Sequence, residues 1–166
     1  MSSMFKSNGK LRIPMEGKMA IPKGKVTMDH GKLIVREAYC PNGHSLINET
    51  KIDKHRSIHF IYSSQDGKEE RDILVSAVVG QCSKIILNGK PFNEGEVVKV
   101  LCPTCRVELK KLVDCKCGAP IYLFYLDTNL DNQYGQSFCS RIGCVKASHL
   151  RFSQDVIREF TQNHSF

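Results

Sequence analysis

Val98-Lys99-Val100-Leu101-Cys102-Pro103-Thr104-Cys105-Arg106-Val107-Glu108-Leu109-Lys110-Lys111-Leu112-Val113-Asp114-Cys115-Lys116-Cys117-Gly118 is the stretch whose reading decides the fold. An apolar run ends in a Cys-Pro-Thr-Cys turn, and a second run ends in Cys-Lys-Cys-Gly. Two thiolates held two to four residues apart on a tight turn point at one ion, and two such turns complete a shell of four ligands. Further out the chain carries matching halves: Cys40-Pro41-Asn42-Gly43-His44 upstream, and Cys139 with Cys144 downstream. Seven cysteines and one histidine are therefore the ligand inventory of two tetrahedral Zn2+ sites.

Which ligands share an ion is argued from reach. Nine residues separate Cys105 from Cys115, and a segment of that length, if extended, spans about 30 Å. If Val107 to Val113 is a strand, its two flanking turns cannot meet at one ion. The preferred sets are then Cys40, His44, Cys102 and Cys105 for one zinc, and Cys115, Cys117, Cys139 and Cys144 for the other. The alternative joins Cys102, Cys105, Cys115 and Cys117 through a turn at Lys110-Lys111, and loop-closure entropy discriminates between the two only weakly. His149 is a substitute ligand for the second set. Pro41 and Pro103 stiffen the turns, Gly43 and Gly118 allow positive φ, and Arg106, Lys116, Arg141 and Lys146 stand beside thiolates whose charge they offset.

The turns Cys-Pro-Asn-Gly-His, Cys-Pro-Thr-Cys and Cys-Lys-Cys-Gly resemble the knuckles of zinc-ribbon and treble-clef fingers. That resemblance covers about a fifth of the chain and implies a rigid interaction module, because such modules serve many processes without setting a reaction. The departure from a minimal ribbon is the insertion of residues 45–101 between the first two knuckles.

The insertion reads as an antiparallel β-meander. Lys32-Leu33-Ile34-Val35 runs into Cys40, Ile58, Phe60 and Tyr62 alternate along one strand, Asp66-Gly67 turns the chain, and residues 73–79 and 96–101 form further apolar runs. Asn88-Gly89 has the composition of a two-residue hairpin turn, with Pro91 placing the following strand at an edge. Tyr122-Leu123-Phe124-Tyr125 reads as core rather than as a base-stacking surface. At the other end, Ser153 suits an N-cap, Asp155 the first turn, and Val156, Ile157 and Phe160 an apolar stripe, which predicts a short helix over 152–164. The expected fold is mainly β with a short C-terminal helix: a zinc-ribbon-like domain over 28–166 with its inserted meander.

The chain has 166 residues and a formal charge of +7, of which residues 1–27 hold six cations against one anion, or +5. Basicity thus belongs to an N-terminal arm that lacks apolar periodicity, and that arm is the expected contact for nucleic acid or an acidic protein surface. The longest apolar stretch of the arm is Met19-Ala20-Ile21, too short for a secretory h-region, so reduced thiols and a cytoplasmic setting are expected. No segment approaches the roughly 20 apolar residues that cross a bilayer, so no membrane partner is expected.

Function narrows by class. A zinc-dependent binding or adaptor module with a protein partner leads, since four protein ligands leave no open position for a reacting water. A thiol–disulfide protein using Cys102 and Cys105 would need residues 106–113 to be a helix whose N-terminus activates a thiol. An accessory subunit of a larger enzyme is the third class. Cys82 reads as a small buried hydrophobe, His55 and His59 as surface residues too far apart on a strand to share an ion, and Asp127 to Asn132 as a polar turn rather than a calcium loop.

Overall fold

The computed structural model describes residues 25–81, 83–132, 134–144 and 149–151. These form strands and turns with no helix among them. The predicted helix over 152–164, Cys82 and the first 24 residues of the arm lie outside the described residues. Val26 and Thr27, read as the end of the arm, belong instead to the first strand.

That strand, β1 (Val26–Asp29), pairs with β2 (Lys32–Val35) in a hairpin registered Val26 to Val35 and Asp29 to Lys32. His30 and Gly31 make its turn with φ of 49° and 78°, the twin positive angles that match the right-handed twist of paired strands. Val26, Ile34 and Val35 are buried, and Val35 N–H donates to the Ala77 carbonyl at 2.9 Å. The hairpin is thereby fixed to the main sheet.

The main sheet comprises β3 (Ile47–Ile52), β4 (His55–Ser63), β5 (Glu70–Val75), β6 (Lys84–Ile86) and β7 (Lys99–Leu101). The nine-residue β4 is its axis. β5 follows one edge from Ile58 to Ser63, while the other edge is shared by β3 at residues 55–58 and β7 at residues 61–63. Asp66-Gly67 makes the expected turn, where Asp66 Oδ1 accepts from Lys68 N–H and the Ser64 hydroxyl. β5 ends at Val75 rather than continuing to 79, since Ser76 turns its hydroxyl to Asp53 Oδ2 at 2.8 Å and Val78 bridges to Ile34.

The expected hairpin at Asn88-Gly89 does not form. The Asn88 side-chain oxygen accepts the Asp72 N–H at 2.6 Å, and the Arg71 side chain lies across Gly89. Asn88 therefore caps the β5–β6 pair instead of starting a new one, and Pro91 follows in irregular chain.

A second sheet has the order β8 (Lys110–Asp114), β9 (Pro120–Tyr125), β10 (Gly135–Cys139), β11 (His149–Arg151), all antiparallel. Its β9 is buried from Tyr122 to Tyr125, the core reading of that run. The sheets meet through aromatic rings: Phe60 lies 5.8 Å from Phe124 and 5.3 Å from Phe138, both tilted, the offset geometry that ring quadrupoles favour. Isolated bridges Tyr39 to Tyr125, Leu101 to Glu108 and Val97 to Arg141 tie the segments that flank the strands, and each lies within a few residues of a cysteine.

Candidate metal centres

The knuckles fall beside those bridges. Cys40 N–H donates to the His44 carbonyl at 3.0 Å and Gly43 N–H to the Cys40 carbonyl at 2.9 Å, with Gly43 at φ 85°. Opposite, Cys102 N–H donates to the Val107 carbonyl and Arg106 N–H to that of Cys102, with Arg106 at φ 62°. These two turns bring Cys40, His44, Cys102 and Cys105 ligand atoms within 4.8 Å of one another. Cys40 and Cys102 are wholly buried while His44 and Cys105 keep partial exposure.

Downstream, Cys115 N–H donates to the Ala119 carbonyl and Gly118 N–H to that of Cys115, with Gly118 at φ 95°. The turn from Cys139 to Cys144 closes through Cys144 N–H on the Arg141 carbonyl at 3.0 Å. Residues 95–98 strap it through backbone hydrogen bonds from Gly95 N–H to Ile142, from Ile142 N–H to Glu96 and from Val98 N–H to Ser140. Cys115, Cys117, Cys139 and Cys144 form the second group, again within 4.8 Å. The eight residues are sorted into the two sets that reach favoured, and the set joining Cys102, Cys105, Cys115 and Cys117 is not assembled.

The spacing fits a metal better than a disulfide. Cys40 and Cys105 Sγ atoms lie 3.8 Å apart, Cys115 and Cys144 3.8 Å, Cys117 and Cys139 3.4 Å, and Cys40 Sγ to His44 Nδ1 is 3.6 Å. A disulfide needs about 2.05 Å. A tetrahedron with metal–sulfur bonds of about 2.3 Å has sulfur–sulfur edges of about 3.8 Å, and sulfur–nitrogen edges of about 3.5 Å when the nitrogen sits at about 2.0 Å. Both groups can therefore hold a metal ion.

Backbone and side-chain donors are already aimed at the sulfurs. Asn42 N–H donates to Cys40 Sγ at 3.3 Å, Thr104 N–H to Cys102 Sγ at 3.4 Å, and the Asn42 side-chain amide to Cys105 Sγ at 3.4 Å. In the second group Arg141 Nε donates to Cys117 Sγ at 3.4 Å, while its Nη atoms hold the carbonyls of Gly95 at 2.8 Å and Cys117 at 3.1 Å. Burial opposes ionisation of Cys105, but donation from Val107 N–H, Asn42 and His44 outweighs it and brings the thiol down to about 6. Hydrogen bonds from Ala119 N–H and Arg141 bring Cys117 down to about 6. Burial pushes Cys102 up to about 11 and raises Cys139 further. Each group thus holds one cysteine whose thiolate is favoured by its hydrogen bonds and one whose thiolate burial disfavours.

Other expected roles change. Arg106 turns its guanidinium to Glu70 rather than to a sulfur. Residues 106–113 contain no helix: Glu108 bridges to Leu101 and β8 begins at Lys110, so the dipole a redox Cys102 would need is missing. His55 and His59, expected at the surface, are mostly buried; His55 sits between Asp29 at 3.2 Å and Arg36 at 3.2 Å, and His59 bonds Asp72 at 2.9 Å. Asp127 accepts from Asn129 N–H at 2.9 Å in an ordinary polar turn. Sequence reasoning missed the Asn42 amide; its place two residues after Cys40 was the available signal, since that position's N–H faces the sulfur. His149 is in β11 by its backbone, and its side chain lies outside the described residues. The chain matches no protein-family model, no curated protein and no solved structure.

Proposed function

We propose that the chain is a non-enzymatic interaction module whose β scaffold is held by two structural zinc ions. The observation that carries this reading is the pair of four-donor groups with tetrahedral edge lengths, supplied wholly by the chain. Sulfur-rich tetrahedral shells suit zinc, and four protein ligands leave no vertex for a reacting water. Cys40, His44, Cys102 and Cys105 would carry one ion at a formal charge of −1, and Cys115, Cys117, Cys139 and Cys144 the other at −2, partly offset by Arg141. The knuckles and the meander inserted between them support a zinc-ribbon-like relationship at the level of these turns.

The partner in this reading is a protein, and the basic arm adds contact with a polyanion such as RNA or DNA. Ile85 and Leu87 on and beside the edge strand β6, and Val113 on the edge strand β8, are exposed apolar side chains at sheet edges, where a further strand can pair. Among the described residues no helix is long and apolar enough to cross a membrane. Free thiols held for metal fit a reducing compartment, for which we take the cytoplasm.

Elemental analysis of natively purified protein tests the metal. Two zinc ions per chain are expected, and iron or no metal would overturn the reading. Deleting residues 1–24 should abolish salt-dependent nucleic-acid binding while leaving the zinc content unchanged; undiminished binding would remove the arm from it.

A further inference from the structure

The two centres repeat one arrangement. In each, a turn opens on a buried cysteine, and the residue two positions later donates its backbone N–H to that sulfur: Asn42 to Cys40 at 3.3 Å and Arg141 to Cys139 at 3.5 Å. The same residue then reaches across the shell with its side chain. Asn42 Nδ2 donates to Cys105 Sγ and Arg141 Nε to Cys117 Sγ, both at 3.4 Å. Cys105 and Cys117 correspond as well, since each closes the facing turn and keeps partial exposure, while Cys102 and Cys115, which open those turns, are buried. One residue in each centre thus holds sulfurs from both of its turns.

The centres differ where those first turns end, in His44 for one and Cys144 for the other. Imidazole binds a metal as a neutral ligand and cysteine as a thiolate, so the second shell carries one more negative charge than the first. The bridging residue differs in the same sense: Asn42 brings a neutral amide and Arg141 a guanidinium that stays charged. A charged donor makes a stronger hydrogen bond than a neutral one, so the stronger donor sits on the more negative shell. Arg141 is also held in place, its Nη atoms on the carbonyls of Gly95 at 2.8 Å and Cys117 at 3.1 Å. Standing beside a ligand in sequence is not sufficient for this role, because Arg106 follows Cys105 and turns to Glu70.

We infer that Asn42 and Arg141 are matched positioning residues, each spanning its shell to hold the partly exposed sulfur of the facing turn, with a neutral donor for three thiolates and a cationic donor for four. The inference rests on the zinc reading above and adds how each shell keeps its outer thiolate in place. An N–H donor draws charge from the sulfur it meets, so Cys105 and Cys117 are each shielded from electrophiles by one side chain that is not itself a ligand.

Alkylation of the full, zinc-loaded chain by iodoacetamide, read residue by residue by mass spectrometry, tests this. Asn42→Asp keeps the shape of the side chain but sets a carboxylate against the sulfur. Alkylation of Cys105 should then rise about tenfold, and further than in Asn42→Ala, with Cys117 unchanged. A role in packing alone would make the alanine variant the worse of the two, and that order, or wild-type protection in Asn42→Asp, overturns the proposal. At the second centre Arg141→Lys keeps the charge and Arg141→Asn removes it, so Cys117 should be better protected in the lysine variant. Equal exposure of Cys117 in those two variants overturns the charge matching, even if the Asn42 variants fail to fold. A wild-type chain without zinc would sink the metal reading and this inference with it, whereas two zinc ions with unchanged reactivity in all four variants would sink this inference alone.

Discussion

The two metal centres use the same knuckle chemistry but enclose very different lengths of chain. The first joins residues 65 positions apart, the second residues 29 positions apart. Loop-closure entropy separates those lengths by only about 0.7 kcal/mol, so the difference lies in what each loop contains. The first encloses the whole five-stranded sheet, and Cys40 and Cys102 belong to the main core with Phe60, Leu109 and Tyr122. The second clips β9 to β10, and Cys115 and Cys139 share a small separate cluster with Ala119. One centre should hold the global fold and the other one end of it.

The strongest break is Cys102→Ser. Zinc binding in structural sites is worth on the order of 10 kcal/mol of folding free energy, and loss of this ligand should remove cooperative thermal unfolding, read by circular dichroism. Cys139→Ser should be milder: hydrogen exchange should rise in β9, β10 and the Cys115–Gly118 turn while β3, β4 and β5 stay protected. Equal, global collapse in both variants would mean that the centres are one cooperative unit.

Arg141→Ala sharpens the comparison further, because Arg141 touches a sulfur of the second centre only. About tenfold weaker binding of one zinc, with the other unchanged in a chelator titration, is the expected scale for losing such a partner. Gly118→Ala tests the backbone. At φ 95° an alanine carries a cost of roughly 1–2 kcal/mol, lowering the melting temperature, whereas the equivalent position in the first centre, Arg106 at φ 62°, already tolerates a side chain.

The smallest contrast is in pH. Cys105 and Cys117 are depressed in the folded chain to about 6, below the ordinary thiol value of about 8.5. Such groups favour the folded shell fully above the ordinary value, and that contribution is lost as pH falls through 6. Both centres should lose metal on acidification, as protons compete with the ion for the sulfurs, followed with a zinc-sensitive dye. Metal binding that shows no dependence on pH would contradict the thiolate assignments.

Much of this was legible because it is local. Close cysteine pairs, the alternation of Ile58, Phe60 and Tyr62, and the Asp66-Gly67 turn each declare themselves within a few residues. The separation of the knuckles rested on chain reach together with an extended reading of residues 107–113, of which 110–114 form β8. What stayed hidden depends on tertiary partners. Asn88-Gly89 has hairpin composition, yet Asp72 N–H takes the Asn88 side chain and ends the sheet there. β1 hid in a basic segment because it is only four residues long with Val26 alone buried and Met28 exposed, and His30-Gly31 is not a conspicuous turn pair. His55 passed for a surface residue because Asp29 and Arg36 come to it from another hairpin. Arg141 was legible as a neighbour of cysteine, but not its reach to Cys117, 24 positions away.

X-ray absorption at the zinc edge, on protein whose metal content has been measured, tests the two-centre scaffold most directly. The expected result is two zinc ions per chain with an average shell of seven sulfurs to one nitrogen across both sites, as the paired donor groups require. A single zinc, or a shell with additional oxygen or nitrogen ligands, would contradict it.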